Sequence, residues 1–334
     1  MSRLRTVLGL VVSAVFLWAA LQGQSLSDVW DTLTHANYIW IIPGILTYFL
    51  AVVARTWRWH YMLRSIQPVP LRTLFPIVTI GYMGNNIYPA RAGEVLRAYV
   101  LKKRAGVSMS ASLATVVIER LFDGVVMLLF VFVSLPRLEV LPDWLRQIVV
   151  LGSVVFLGAL VVFFALAARP ARAQALYRWL IEKTIPIEFQ GRVHGLADRF
   201  MGGLSALRRE RDVLMIFATS LVIWLLETVK YWFVMHAFPF EVSFYALMLM
   251  NGVGNLATTI PSSPGYVGTF DATGIAVLTA FRVDRSLATG YTLILHAALW
   301  FPITLLGLFF MARESIRWSD VNRAADTAEA GAVP

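Results

Sequence analysis

The chain has 334 residues, 58% hydrophobic and 15% charged, with a mean hydropathy of +0.68 and a formal net charge of +9. Charge so far below the ~25% of a soluble domain leaves no room for a sizeable soluble part and predicts an all-α, polytopic membrane protein, while the absence of cysteine excludes disulfides and thiolate metal sites. No cluster of basic residues interleaved with aromatics lies on a polar helix. The positive charge therefore speaks for membrane sidedness and not for nucleic acid, and neither a nucleic-acid partner nor a cofactor is expected.

In chain order, the first apolar run is 6–22, behind Arg3 and Arg5. The basic start and Ala19-Ala20 resemble a signal peptide. The run also reaches roughly the 17-residue lower limit of a span, which favours a retained helix. Residues 24–36 are polar and short. Leu26, Val29, Trp30 and Leu33 share a face at helical spacing, as in an interfacial helix. A second span is read at 37–54. The segment Arg55-Thr-Trp-Arg58-Trp-His60 that follows reads as an interfacial belt of aromatic and basic residues.

The next apolar stretch, 73–90, is broken. Gly81, Gly84, Asn85, Asn86, Pro89, Arg91, Gly93 and Glu94 interrupt it. Broken backbone at membrane depth survives only where it is buried in protein or lines a watery cavity. Asn85, Asn86, Arg91 and Glu94, with Arg97 beyond them, are therefore candidate binding residues. The span 111–134 carries Glu119, Arg120 and Asp123. Arg120 falls about ten residues in, ~15 Å deep at ~1.5 Å per residue. A charge there costs at least ~2.5–3.5 kcal/mol unless it faces protein or water. Asp123, Glu119 or Glu94 is the expected acidic partner. A head-group pocket and an ion cluster that fixes packing both fit this pattern.

A span at 146–167 is followed by the long polar connection 168–212, amphipathic through Leu176, Trp179, Leu180, Phe200, Leu204 and Leu207. The span 213–236 holds Glu227 and Lys230 at i,i+3. This repeats the choice between a head-group pocket and a packing pair, with a lysine that snorkels to the outer interface as a further reading. Residues 244–281 form the second broken stretch, with Gly252, Gly254, Asn255, Pro261, Pro264, Gly265 and Gly268. Thr269 and Asp271 suit the start of its second helix, and Asn255 and Asp271 join the candidate residues. Gly252-Val-Gly254-Asn-Leu-Ala257 matches a dinucleotide-loop pattern but follows no strand. The last span, 287–311, contains an isolated His296 that reads as a packed histidine. The tail 318–334 is small, polar and expected to be disordered, which leaves one transmembrane domain over 1–317.

Sidedness ties these pieces together. The basic groups at 3–5, 55–72, 91–104, 168–212 and 313–323 hold most of the 29 Lys and Arg residues, and all can be cytoplasmic at once. Asp28, Asp31, Glu139, Asp143, Glu241 and Asp284 then face outward. That arrangement requires 73–90 to enter and leave on the cytoplasmic side and 244–281 to do so from outside. About six full spans and two opposed re-entrant hairpins result. Gly84-Asn85, Pro89 and Gly93 against Gly254-Asn255, Pro261 and Gly265 suggest an inverted repeat. Both termini are expected in the cytoplasm. The sequence leaves open whether the chain forms a homodimer.

The order Asn85-Asn-x-x-Pro89-x-Arg91-x-Gly93-Glu94-x-x-Arg97, Glu119-Arg120-x-x-Asp123, Ile260-Pro261 and Pro264-Gly265-x-x-Gly268 resembles the transmembrane domain of lysylphosphatidylglycerol synthases over about residues 5–315. This flippase-like family also occurs as free-standing membrane proteins. The resemblance implies a protein of the inner membrane that translocates a lipid with a charged head group between leaflets. It also implies that synthesis of the lipid, which belongs to a soluble domain in the full-length enzymes, is not expected here. A membrane-embedded lipid-modifying enzyme and a non-transporting scaffold are the alternatives. Glu119 and Asp123 could serve acid–base chemistry, but no nucleophile or metal-site motif accompanies them.

Overall fold

The computed structural model describes residues 25–88, 91–134, 170–184, 210–258 and 263–314, with isolated positions elsewhere. The runs expected at 6–22 and 146–167, most of 185–209 and the tail lie outside the described residues, as do Pro89, Ala90 and 259–262. Every regular element among the described residues is helical: α1 (Leu26–Thr34), α2 (Ile41–Leu63), α3 (Leu71–Ile87), α4 (Ala92–Ala105), α5 (Met109–Val133), α6 (Pro170–Thr184), α7 (Glu210–Met235), α8 (Phe244–Ala257), α9 (Thr269–Ala280) and α10 (Arg285–Arg313). Short 3₁₀ turns precede α2 at Tyr38–Trp40 and α9 at Pro264–Tyr266.

Three described helices are long and apolar enough to cross a membrane: Tyr38–Leu63, Arg211–Met235 and Arg285–Arg313. α5 has the length, at 25 residues, but carries Glu119, Arg120 and Asp123 in its middle. α2 shows how the sequence divides its faces. Ile39, Ile42, Leu46, Leu50 and Val53 fall on one exposed stripe at i,i+3/i+4 spacing. Thr47, Tyr48, Ala51, Val52 and Arg55 fall on the opposite, buried face. That face packs along α7, and Gly44 lets the two helices close up, since a Cβ there would stand 3.2 Å from Val234 Cγ2.

The span expected at 37–54 is a correction. The helix runs on to Leu63, so Arg55 and Arg58 lie inside it and are 7% and 2% exposed. They cannot form an interfacial belt, because both are turned into the protein, where acids on α5 and α7 meet them.

The two interrupted stretches are both helical hairpins. α3 and α4 pack together, as do α8 and α9. Glycine makes the first hairpin close. A Cβ on Gly93 would lie 1.9 Å from Gly81 O, and one on Gly84 would lie 2.7 Å from Gly93 Cα. The first hairpin rests on α10 through α3 and on α5 through α4. The second rests on α5 through α8 and on α10 through α9. The same two helices thus flank both hairpins, with the legs in reversed order. Caps fix the ends. Ser108 accepts from Ala111 N, Ser243 accepts from Ala246 N, and Asp284 accepts from Ser286 N at 2.9 Å. α4 stops at Gly106 in the left-handed region, with Lys102, Lys103 and Arg104 in its last turn against the negative end of the helix dipole.

Among the described residues two large apolar cores form, with a smaller third of Val126, Met127, Phe130, Trp224 and Met248 between α5, α7 and α8. One large core gathers Trp59, Met62, Leu74, Ile77, Met83 and Phe122 around the first hairpin. The other gathers Tyr231, Met235, Leu249, Phe270, Leu278 and Tyr291 around the second. α1 lies against α10, with Val29 buried and Leu26 and Trp30 exposed.

Candidate functional site: a polar cavity where two helical breaks meet

At the first break, α3 ends at Ile87, and Arg91 starts α4 from a left-handed backbone at φ 55°. Non-glycine residues rarely adopt that conformation, and it clusters at functional sites. Asn86 anchors the end of α3 to α10. Its Nδ2 donates to Thr304 Oγ1 at 2.8 Å and to Trp300 O at 3.3 Å, and its carbonyl accepts from Trp300 Nε1. At the second break, Gly265 and Tyr266 both have positive φ, 70° and 62°. Gly265 is required twice over, because a Cβ there would also lie 2.8 Å from Trp300 Nε1. His296 on α10 spans this break, with Nδ1 2.7 Å from Asp271 Oδ1 and Nε2 2.8 Å from Gly265 O. The other Asp271 oxygen accepts from Gly268 N at the start of α9.

The two breaks touch. Arg91 Nη2 donates to Thr258 Oγ1 at 3.1 Å and to Thr258 O at 3.3 Å, and its guanidinium lies 5.6 Å from the Tyr266 ring centre. Between them is a cavity of about 140 Å³. At ~10–15 Å³ per water, it has room for a hydrated head group. Its charged lining is Arg55, Arg91, Arg120, Lys230 and Glu227. Asn85, Asn86 and Asn255 add amides, and Tyr48, Tyr82, Trp224, Tyr231, Tyr266 and Trp300 form aromatic walls.

Buried ion pairs frame the cavity. Glu227 is held between Arg55 and Lys230. The Arg55 guanidinium lies 5.1 Å from the Trp224 ring, and the Lys230 ammonium 4.8 Å from the Tyr48 ring. Arg58 grips Asp123 through both nitrogens, at 2.6 and 3.3 Å, and Trp224 Nε1 and Ser220 complete that cluster. Arg97 meets Glu119 at 2.6 Å and stacks 4.2 Å from the Trp59 ring. Arg120 Nε lies 2.9 Å from Glu94 Oε1, but out of line, so neither atom has a hydrogen-bond partner. Asn85 Oδ1 is likewise buried without one.

The candidates therefore divide. Asn85, Asn86, Arg91, Arg120 and Asn255 line one cavity. Glu94 stands behind Arg120, and Asp271 stands behind His296. Arg97, Glu119 and Asp123 do not line the cavity. They are buried away from the cavity wall, Arg97 and Glu119 paired with each other and Asp123 with Arg58. Arg120 does find an acid, chiefly Glu94, with Asp123 at 3.7 Å; Glu119 is committed elsewhere. For Lys230 the structure selects the paired reading over snorkelling. At 1% exposure it does not snorkel, because Glu227 holds it inside. His296 is no bystander to packing but bridges the second break. Arg55, Glu227 and Lys230 are site residues that the sequence reading did not place there, although an acid and a lysine at i,i+3 inside a span were the signal for two of them.

A helical fold with a charged cavity between broken helices defines an all-α, polytopic membrane protein. The chain belongs to the family described as the lysylphosphatidylglycerol synthase TM region, whose model matches residues 6–307. It is similar to a UPF0104 membrane protein of Methanothermobacter thermautotrophicus, 24% identical over 90% of each chain. It is also similar to a UPF0104 membrane protein of Methanocaldococcus jannaschii, 21% identical over 90% of this chain and 93% of the relative. Another similar protein is the glycosyltransferase AglD of Haloferax volcanii, 26% identical over 91% of this chain but only 53% of that relative.

Proposed function

We propose that the protein moves a polar-headed lipid between membrane leaflets. The observation that carries this reading is the charged cavity at the meeting point of the two breaks. A charged head group pays heavily in hydrocarbon, while its tails do not. A polar pocket beside the lipid supplies the head group's path, and the tails stay in the bilayer. Leg lengths support the membrane geometry. α3, α4, α8 and α9 have 17, 14, 14 and 12 residues. At ~1.5 Å per residue the longest reaches ~26 Å, short of a ~30 Å hydrocarbon core. Both hairpins read as re-entrant, the first from the cytoplasm and the second from outside, in an inner membrane with both termini cytoplasmic.

The name of the Haloferax relative raises transferase chemistry as a second reading. The cavity argues against it. A general base needs a group free to take a proton; among the described lining residues Glu227 is engaged by two cations, and both nitrogens of His296 are taken up by Asp271 and Gly265 O.

The test is leaflet exchange of a labelled phospholipid in proteoliposomes. Wild type should accelerate exchange over protein-free vesicles. Arg91→Ala and Arg120→Ala should each reduce it at least tenfold while the protein stays folded. Unchanged exchange in both folded variants would overturn the reading.

A further inference from the structure

The charges of the described residues around the cavity do not balance. The cations Arg55, Arg58, Arg91, Arg97, Arg120 and Lys230 share four carboxylates: Glu94, Glu119, Asp123 and Glu227. Arg97 with Glu119 and Arg58 with Asp123 are matched pairs, set back from the cavity. The other two acids each serve two cations. Glu227 lies between Arg55 and Lys230, and Glu94 lies 2.9 Å from Arg120 and 3.7 Å from Arg91. All four of these cations line the cavity. His296 and Asp271 do not alter the sum. Both ring nitrogens face oxygens, Asp271 Oδ1 and Gly265 O, so these two contacts need two protons between ring and carboxylate, and with both present the pair is neutral whichever group holds the second.

Among the described residues the cavity thus lacks two negative charges. Uncompensated charge inside a membrane protein is costly, and a ligand that brings the missing charge gains what the empty site lacks. We propose that the head group held here is a phosphomonoester, near −1.5 to −2 at neutral pH. It is preferred over a phosphodiester of charge −1 and over zwitterionic or aminoacylated head groups. Two guanidiniums, Arg91 and Arg120, present the forked donors that suit phosphate oxygens. The Arg120 Nε is without a hydrogen bond on a side chain that lines the cavity, whereas the unbonded Nε atoms of Arg58 and Arg97 lie outside the lining. The lipid source of the phosphate rests on the translocation reading; the charge preference does not.

The full chain in detergent is titrated with short-chain phosphatidic acid, phosphatidylglycerol and phosphatidylcholine of equal acyl length, and with inorganic phosphate. Phosphatidic acid should bind at least tenfold tighter than each of the others. Arg91→Gln and Arg120→Gln, whose side chains are 26% and 36% exposed, should each cut its advantage over phosphatidylglycerol to less than threefold without lowering the melting temperature. Equal binding of phosphatidic acid and phosphatidylglycerol by wild type overturns the proposal. So does an advantage that both folded variants retain, and inorganic phosphate binding as tightly as phosphatidic acid overturns the lipid source. Leaflet exchange on the same preparation separates the two readings. A preference for phosphatidic acid without exchange supports the site and sinks transport. Exchange of all three lipids at one rate supports transport and sinks the preference.

Discussion

At the scale of single residues, the buried charges fall into two kinds with different consequences. Arg58 and Asp123 are each 2% exposed and joined by two hydrogen bonds, with only the Arg58 Nε of the guanidinium left without a partner. Removing one leaves a buried charge alone, which costs ~3–5 kcal/mol. Arg58→Ala should therefore lower the thermal unfolding midpoint sharply. The Arg120 side chain is 36% exposed. Water screens what its loss exposes, so Arg120→Ala should cost on the order of 1 kcal/mol and be felt in lipid handling instead. A larger stability loss in Arg120→Ala than in Arg58→Ala would contradict this division. Intramembrane charge marked Arg120, Glu227 and Lys230 in the sequence. It could not say which charges face the cavity, because the partners of Arg55 and Arg58 lie more than sixty residues away on α5 and α7.

At the scale of elements, the hairpins depend on close backbone approach. Gly93→Ala sets a methyl 1.9 Å from Gly81 O, where only backbone movement can relieve it. It should cost more than the ~1–3 kcal/mol of ordinary overpacking. Gly106→Ala offers the contrast. Nothing lies within 4 Å of its Cβ, and only the φ of 71° opposes it, a strain of ~1–2 kcal/mol. Melting temperatures in detergent should rank wild type, Gly106→Ala, then Gly93→Ala. Near-equal values for the two variants would remove the glycine contact as the basis of the hairpin. Both breaks were legible in the sequence, since Gly, Asn and Pro interrupt apolar runs there. The end of α2 was not. Arg55, Arg58 and His60 imitate the basic margin of a span, and only the tertiary structure shows that the helix continues past them to Leu63.

At the scale of the whole molecule, the hairpins should open to opposite sides of the membrane. The chain has no cysteine, so single cysteines at Arg104 and Arg285 report sidedness directly. Arg104 should label only from the cytoplasmic side and Arg285 only from outside; labelling of both from one side would break the opposed arrangement. The convergence of Asn85, Arg91, Arg120 and Asn255 followed from the sequence once the breaks were expected to meet. The exclusion of Arg97, Glu119 and Asp123 did not, because residues a turn apart on α4 and α5 face different neighbours, and only packing decides which. The central claim, that a lipid head group sits where the breaks meet, is tested most directly by photo-crosslinking with a lipid whose reactive group is on the head. Adducts should map to both hairpins at the cavity, on Tyr82 and Tyr266 among others, and disappear in Arg91→Ala. Adducts confined to lipid-facing positions such as Leu46 and Leu50, 61% and 58% exposed on α2, would contradict it.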